Sequence, residues 1–144
     1  VIDKSIKSVD LLLKNSNGSI VRDYSGNLPE ILVAKSEMVN VFVNILENSI
    51  KYSINNPVIN IKTYLKNNNI VVSISDKGIG MTKNVKSKIF DNFYRETKGN
   101  IHNVKGHGLG LSYVKKIIDL HGGMISVISE IEKGTTFNIS LNVN

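Results

Sequence analysis

No cysteine occurs in the 144 residues, which excludes a disulfide framework or a thiolate-held metal and fits a reducing compartment. No apolar run approaches the roughly 18 residues that cross a bilayer, and the first residues lack the design of a signal peptide. A soluble chain without direct membrane insertion is therefore expected. A G-x-x-x-x-G-K-[ST] motif is missing too, so an ordinary P-loop is excluded. Negative charge is scarce: 12 Asp and Glu stand against 18 Lys and Arg, a formal +6. That balance suits a polyanion, an acidic protein surface or a nucleotide. The basic residues are scattered, as at Lys62, Lys83 and Lys115, with neither interleaved aromatics nor a groove-reading motif. No nucleic-acid partner is expected.

What is present is one domain's length of chain with clear periodicity. Ile2, Ile6, Val9, Leu12 and Leu13 have helical spacing, and the turn cluster NSNGS follows. Short strands are expected at Ile20 to Tyr24 and Ile31 to Ala34, and Ser36 is a candidate N-cap for a long amphipathic helix that ends near Tyr52. Val58 to Leu65 and Ile70 to Ser75 alternate as a hairpin. A polar, irregular connection, long enough to be a lid, occupies 82–105. A second amphipathic helix spans Leu109 to Leu120, with Leu111, Val114, Ile117, Ile118 and Leu120 facing in, and two alternating strands finish the chain. The expected fold is α+β, a two-layer sandwich of one mixed or antiparallel sheet of about five strands with helices on one face.

Three stretches carry chemistry. On the first long helix, Met38, Val41, Phe42, Ile45, Leu46 and Ser49 form the buried stripe, while Asn44, Asn48 and Lys51 share the opposite flank, with Tyr52 at the border. Two amides, an ammonium and a ring in one row suit a metal ion, phosphate oxygens and a flat base; a solvated polar face has the same residue types. Asp76 closes the hairpin and runs into Gly78 and Gly80, so a carboxylate there can accept from an exocyclic amine while small residues admit a base; the same pattern also makes a plain turn. Gly106, Gly108 and Gly110 open onto a helix N-terminus, where backbone N–H groups and the helix dipole favour an anion.

In this order, these stretches closely resemble the catalytic ATP-binding domain of bacterial sensor histidine kinases, within the wider family of gyrase, heat-shock chaperone and mismatch-repair ATPases. NILENSIKYS from Asn44 looks like that family's N box, DKGIGM from Asp76 its first glycine box, IFDNFYR from Ile89 its aromatic F box and KGHGLGL from Lys105 its second glycine box. The endings HGG and GTTF match too, and the resemblance covers the chain from about Ile20 onward.

The resemblance implies Mg²⁺ and ATP as cofactors. Asn48 would be the metal ligand, Lys51 would contact phosphate, and Tyr52 would lie on the adenine or ribose. Asp76 would read the adenine amine, with Gly78, Ile79 and Gly80 lining the pocket. Gly106, His107, Gly108, Leu109 and Gly110 would cradle the phosphates, Thr135 would support the base through a water, and Arg95 would stabilise the charge on the transferred phosphoryl. Asn44 counts among both the binding and the catalytic residues, with Lys51 and Arg95. In hydrolysing relatives the Asn44 position is a glutamate that activates water; an amide cannot take that proton, which points to a kinase.

Its implied partners are ATP or ADP, the histidine-bearing dimerisation domain of a parent kinase and, indirectly, a response regulator of a two-component system. The implied location is cytoplasmic, with a membrane anchor in the parent compatible with it. Residues 1–19 are expected to join the dimerisation domain, and 20–144 to form the catalytic domain. His102, His107 and His121 are the only histidines, and none has the sequence context of a phosphorylated one. A module that binds nucleotide without transferring phosphate, and a serine kinase of the anti-sigma type, are the alternatives on the same fold.

Overall fold

The computed structural model describes residues 1–91 and 110–144. Two short helices, α1 (Ile2–Ser8) and α2 (Asp10–Asn15), stand where one was expected. The chain tightens at Val9, whose N–H reaches the Ile6 carbonyl three residues back, and its φ of −102° and ψ of 7° leave helical geometry. Ile6, Val9 and Leu13 still reach the core, but the break leaves Leu12 46% exposed.

Strand β1 (Ser19–Tyr24) follows. The strand expected over Ile31 to Ala34 does not form. Ile31 and Val33 pack on the core and Leu32 is fully exposed, so the alternation is real, but no strand pairs with it. Helix α3 (Lys35–Lys51) begins one residue before the expected cap, with Ala34 in the N-cap position. The Ala34 N–H donates to His121 Nε2 at 3.0 Å, which fixes the chain entering the helix and leaves Ser36 inside the first turn.

The expected hairpin is β2 (Val58–Lys66) and β3 (Asn69–Asp76). Lys66 pairs with Asn69 across Asn67 and Asn68, whose φ values of 50° and 62° give the left-handed two-residue turn that matches strand twist. Within the stretch expected to be irregular, Thr82 caps a short helix α4 (Lys83–Lys88) by accepting from the Val85 N–H. Ile89 is buried after it, and Phe90 meets Phe137 edge-on at 6.4 Å. Helix α5 (Gly110–Leu120) buries Val114, Ile117 and Ile118 as expected. Leu120, expected inside, is 73% exposed because the helix stops there and the chain turns back at Gly122, whose φ is +67°.

Strands β4 (Met124–Glu130) and β5 (Gly134–Asn142) complete a mixed sheet in the order β1-β2-β3-β5-β4, with β1 parallel to β2 and the other pairs antiparallel. Period-two alternation points Ile61, Ile74, Phe137 and Ile139 to one face, where α3, with α1 and α5 packed against it, buries them. This is the expected α+β two-layer sandwich. Packing from two flanks explains why Val43 and Asn44, outside the apolar stripe, are buried as well.

Candidate nucleotide site

Strand alternation builds the site's floor. Ile74, Phe137 and Val127 are neighbours across β3, β5 and β4; one rung further along the same face the neighbours are Asp76, Thr135 and Ser129. The apolar core row thus ends in three polar side chains under the C-terminal half of α3.

Asp76 is held from two sides. Its Oδ1 accepts from the Gly78 N–H at 2.8 Å and the Thr135 N–H at 3.3 Å. Burial raises its pKa above the ordinary 3.8, and the backbone hydrogen bond from Gly78, the nearby Ser49 hydroxyl and the backbone hydrogen bond from Thr135 oppose that rise. Ser49, two per cent exposed, has no partner of good hydrogen-bond geometry, yet its hydroxyl lies close enough to the carboxyl to favour the ionised form.

The first glycine box clasps two elements together. The Ile79 N–H donates to the Tyr52 carbonyl at 3.0 Å, and the Ile79 carbonyl accepts from the Glu132 N–H at 2.8 Å. Gly80, with φ +73°, lies so close to the Glu130 carbonyl that any Cβ would collide with it; at Gly78 a Cβ would collide with the Tyr52 carbonyl. Glycine is required at both positions to bring the end of α3, Asp76 and the β4–β5 turn together.

The amide row runs along α3. Asn44 is buried and its NH₂ donates to the Asn40 carbonyl at 2.7 Å, Asn48 is half-buried, and Lys51 is exposed with its Nζ 5.2 Å from the Tyr52 ring centre. Gly110 opens α5 with φ +58°, and among the described residues no atom lies within 4 Å of where its Cβ would stand. The structure therefore gathers Tyr52, Asp76, Gly78, Ile79 and Thr135 in one hydrogen-bonded group, with Asn44, Asn48 and Lys51 on the adjoining helix. Arg95, Gly106, His107, Gly108 and Leu109 lie outside the described residues, as do most of the F box and the lid from residue 92. His121 is tied up structurally: Nδ1 pairs with the Ile117 carbonyl at 2.8 Å while Nε2 accepts from Ala34.

Ser129 is a site residue that sequence reasoning missed. Its buried hydroxyl accepts from the Met81 N–H at 2.8 Å, reaches the Gly134 carbonyl at 3.0 Å and meets Thr135 Oγ1 at 2.8 Å, so it joins the glycine box to Thr135. The available signal was a polar residue on the inward face after Ile125 and Val127. Lys86 of α4 reaches the Ser129 carbonyl at 3.0 Å, which ties that helix to the same place. Another concavity, lined by Val21, Asp23, Asn60, Lys62 and Ser73, shares none of these groups.

Residues 34–144 match the family described as histidine kinase-, DNA gyrase B-, and HSP90-like ATPase. The chain belongs to that family. Its relatives include the sensor protein RprX of Bacteroides fragilis, 40% identical over 138 residues that make up 94% of this chain and 27% of RprX. The signal transduction histidine-protein kinase ArlS of Staphylococcus aureus is 44% identical over 110 residues, 76% of this chain and 24% of ArlS. The chain thus spans about a quarter of the length of either relative. The fold is that of the catalytic domain of histidine kinase ThkA, with a TM-score of 0.82 at 24% identity, covering 99% of this chain and 90% of that one. Full-length ShkA in complex with AMPPNP has a TM-score of 0.81 at 20% identity, covering 97% of this chain and 28% of that one. An ATP-binding domain of the histidine-kinase type, the expected reading of the sequence, is thereby established at the level of the family.

Proposed function

We propose that this chain binds Mg-ATP between α3 and α5 and passes the γ-phosphoryl group to a histidine on a dimerisation domain of a larger, cytoplasmic-facing sensor kinase. The observation that carries the reading is the held carboxylate: Oδ1 of Asp76 is fixed by two backbone N–H groups beside the end of α3, so its other oxygen is left to accept from an adenine amine. One turn away, Asn48 would give the ion a neutral oxygen that does not repel the triphosphate. No cluster of three acidic, histidine or cysteine residues among the described residues could cage a metal, which suits an ion that arrives on the phosphates. Lys51 and Arg95 would neutralise phosphate charge, the glycines at 106, 108 and 110 would wrap the phosphates, and Thr135 with Ser129 would hold the base side.

Asn44 supports transfer over hydrolysis. Its amide is buried and its NH₂ is spent on Asn40, so it offers no base for water. In the transfer, the bond between the γ-phosphorus and the β–γ bridging oxygen breaks, ADP leaves, and a bond to the acceptor imidazole nitrogen forms. Positioning and charge neutralisation would supply most of the acceleration. Packing of α1 on α3, through Ile6 and through Ser5 Oγ donating to the Val39 carbonyl, would make residues 1–19 a stiff joint to the acceptor domain. A response regulator would then receive the phosphoryl group. No helix among the described residues is long and apolar enough to cross a membrane.

The test is to mix the chain and γ-labelled ATP with a purified dimerisation domain. Acid-labile label on that domain and slow hydrolysis by the chain alone are expected. Acid-stable label, or rapid hydrolysis without an acceptor, would contradict the proposal.

A further inference from the structure

The Ser49 hydroxyl is the one buried side-chain nitrogen or oxygen among the described residues without a hydrogen-bond partner. Four other helix-associated serines satisfy themselves on the carbonyl four residues back: Ser5 on Val1, Ser8 on Lys4, Ser16 on Leu12 and Ser53 on Ser49 itself. Ser49 makes no such bond to Ile45. Ile45 and Leu46, the turn before it, are wholly buried apolar residues, so a methyl group would suit the packing at least as well as a hydroxyl. A buried, unpaired hydroxyl is unfavourable unless its partner comes from outside the chain.

Its surroundings say where that partner would sit. Ser49 lies against the Asp76 carboxyl, whose Oδ1 is already engaged by Gly78 and Thr135. An amine bound to the remaining oxygen would bring the ring atoms flanking it within reach of the hydroxyl. In adenine those flanking positions carry the ring nitrogens N1 and N7, which are acceptors, and a hydroxyl is a donor. We propose that Ser49 is a base-contacting residue that donates, directly or through one water, to a ring nitrogen flanking the adenine amine read by Asp76. This rests on the adenine reading of the site given above.

The proposal is tested by calorimetry with ATP, 1-deaza-ATP and 7-deaza-ATP on the wild-type chain, Ser49→Ala and Asp76→Asn, together with the melting temperature of each free chain. Ser49→Ala should weaken ATP about fivefold, the value of one neutral hydrogen bond. It should have no effect on whichever analogue lacks the contacted nitrogen and cost the full factor with the other. The melting temperature of the free variant checks that it still folds. Unchanged ATP affinity, or equal losses for ATP and both analogues, would overturn the assignment of Ser49 alone. A wild-type chain that binds no ATP, or an Asp76→Asn chain that binds it fully, would overturn the adenine reading and this inference with it.

Discussion

Exchanging Asp76 for asparagine should strengthen the free fold and remove the nucleotide. The two N–H groups on Oδ1 decide how the new side chain sits: its oxygen takes the place of Oδ1 and accepts from them, and its NH₂ takes the place of Oδ2, the oxygen proposed to face the base. A donor then faces the adenine amine, which is also a donor. Losing a charge-assisted hydrogen bond costs about 1.5–3 kcal/mol, and the mismatch brings the sum to at least about 3 kcal/mol, or ~150-fold in affinity. With ATP at a hundred times the wild-type Kd, ligand stabilisation is about 2.7 kcal/mol for wild type and ~0.3 kcal/mol for the variant. At about 4 °C per kcal/mol for a chain of this size, ATP raises the melting temperature by ~10 °C and ~1 °C respectively. The free fold moves the other way. Burial raises the Asp76 pKa, so the stability linked to its proton is fully present below the ordinary 3.8 and lost as pH rises through the folded value. At neutral pH the ionised carboxyl is a cost that asparagine removes, so the free variant should melt higher than wild type. A thermal-shift series with and without ATP reads both effects. An ATP-induced shift in the variant within about 3 °C of wild type would refute the role given to Asp76.

Acidification should weaken ATP binding as Asp76 takes up its proton, with a midpoint above the ordinary carboxylate value; affinity measured against pH checks this. Asn48→Asp should weaken Mg-ATP about tenfold by setting a negative charge against the triphosphate, readable by calorimetry. Gly80→Ala should destabilise the fold by about 1–3 kcal/mol through its conformation alone, with the collision against the Glu130 carbonyl added, as urea unfolding would show. Ser129→Ala should cost about 1–3 kcal/mol by leaving the part-buried Met81 N–H unpaired, and should weaken ATP binding by loosening Thr135; unfolding and titration together measure both.

Much of this was legible because the decisive patterns are local. Alternation through Ile70, Val72 and Ile74 put Asp76 on the inward face, and helical spacing put Asn44, Asn48 and Lys51 on one flank of α3. What the sequence concealed depends on partners distant in the chain. The Ile31–Ala34 stretch has a strand's alternation but no ladder. Lys83–Lys88 has no apolar stripe, and its helix is held by the Thr82 cap and the reach of Lys86 to Ser129. Burial of Asn44 follows from packing on both flanks of α3, which one helix cannot reveal. Ser129 earns its role only when the sheet sets it beside Thr135.

The central claim is that the amide flank of α3 and the held carboxylate of Asp76 serve one magnesium-bound adenine nucleotide. The most direct test is a calorimetric titration of the chain with ATP, in Mg²⁺ and again in EDTA. One saturable site per chain, weakened when the ion is withdrawn, is the predicted result; no heat with ATP, or the same affinity in both buffers, would contradict it.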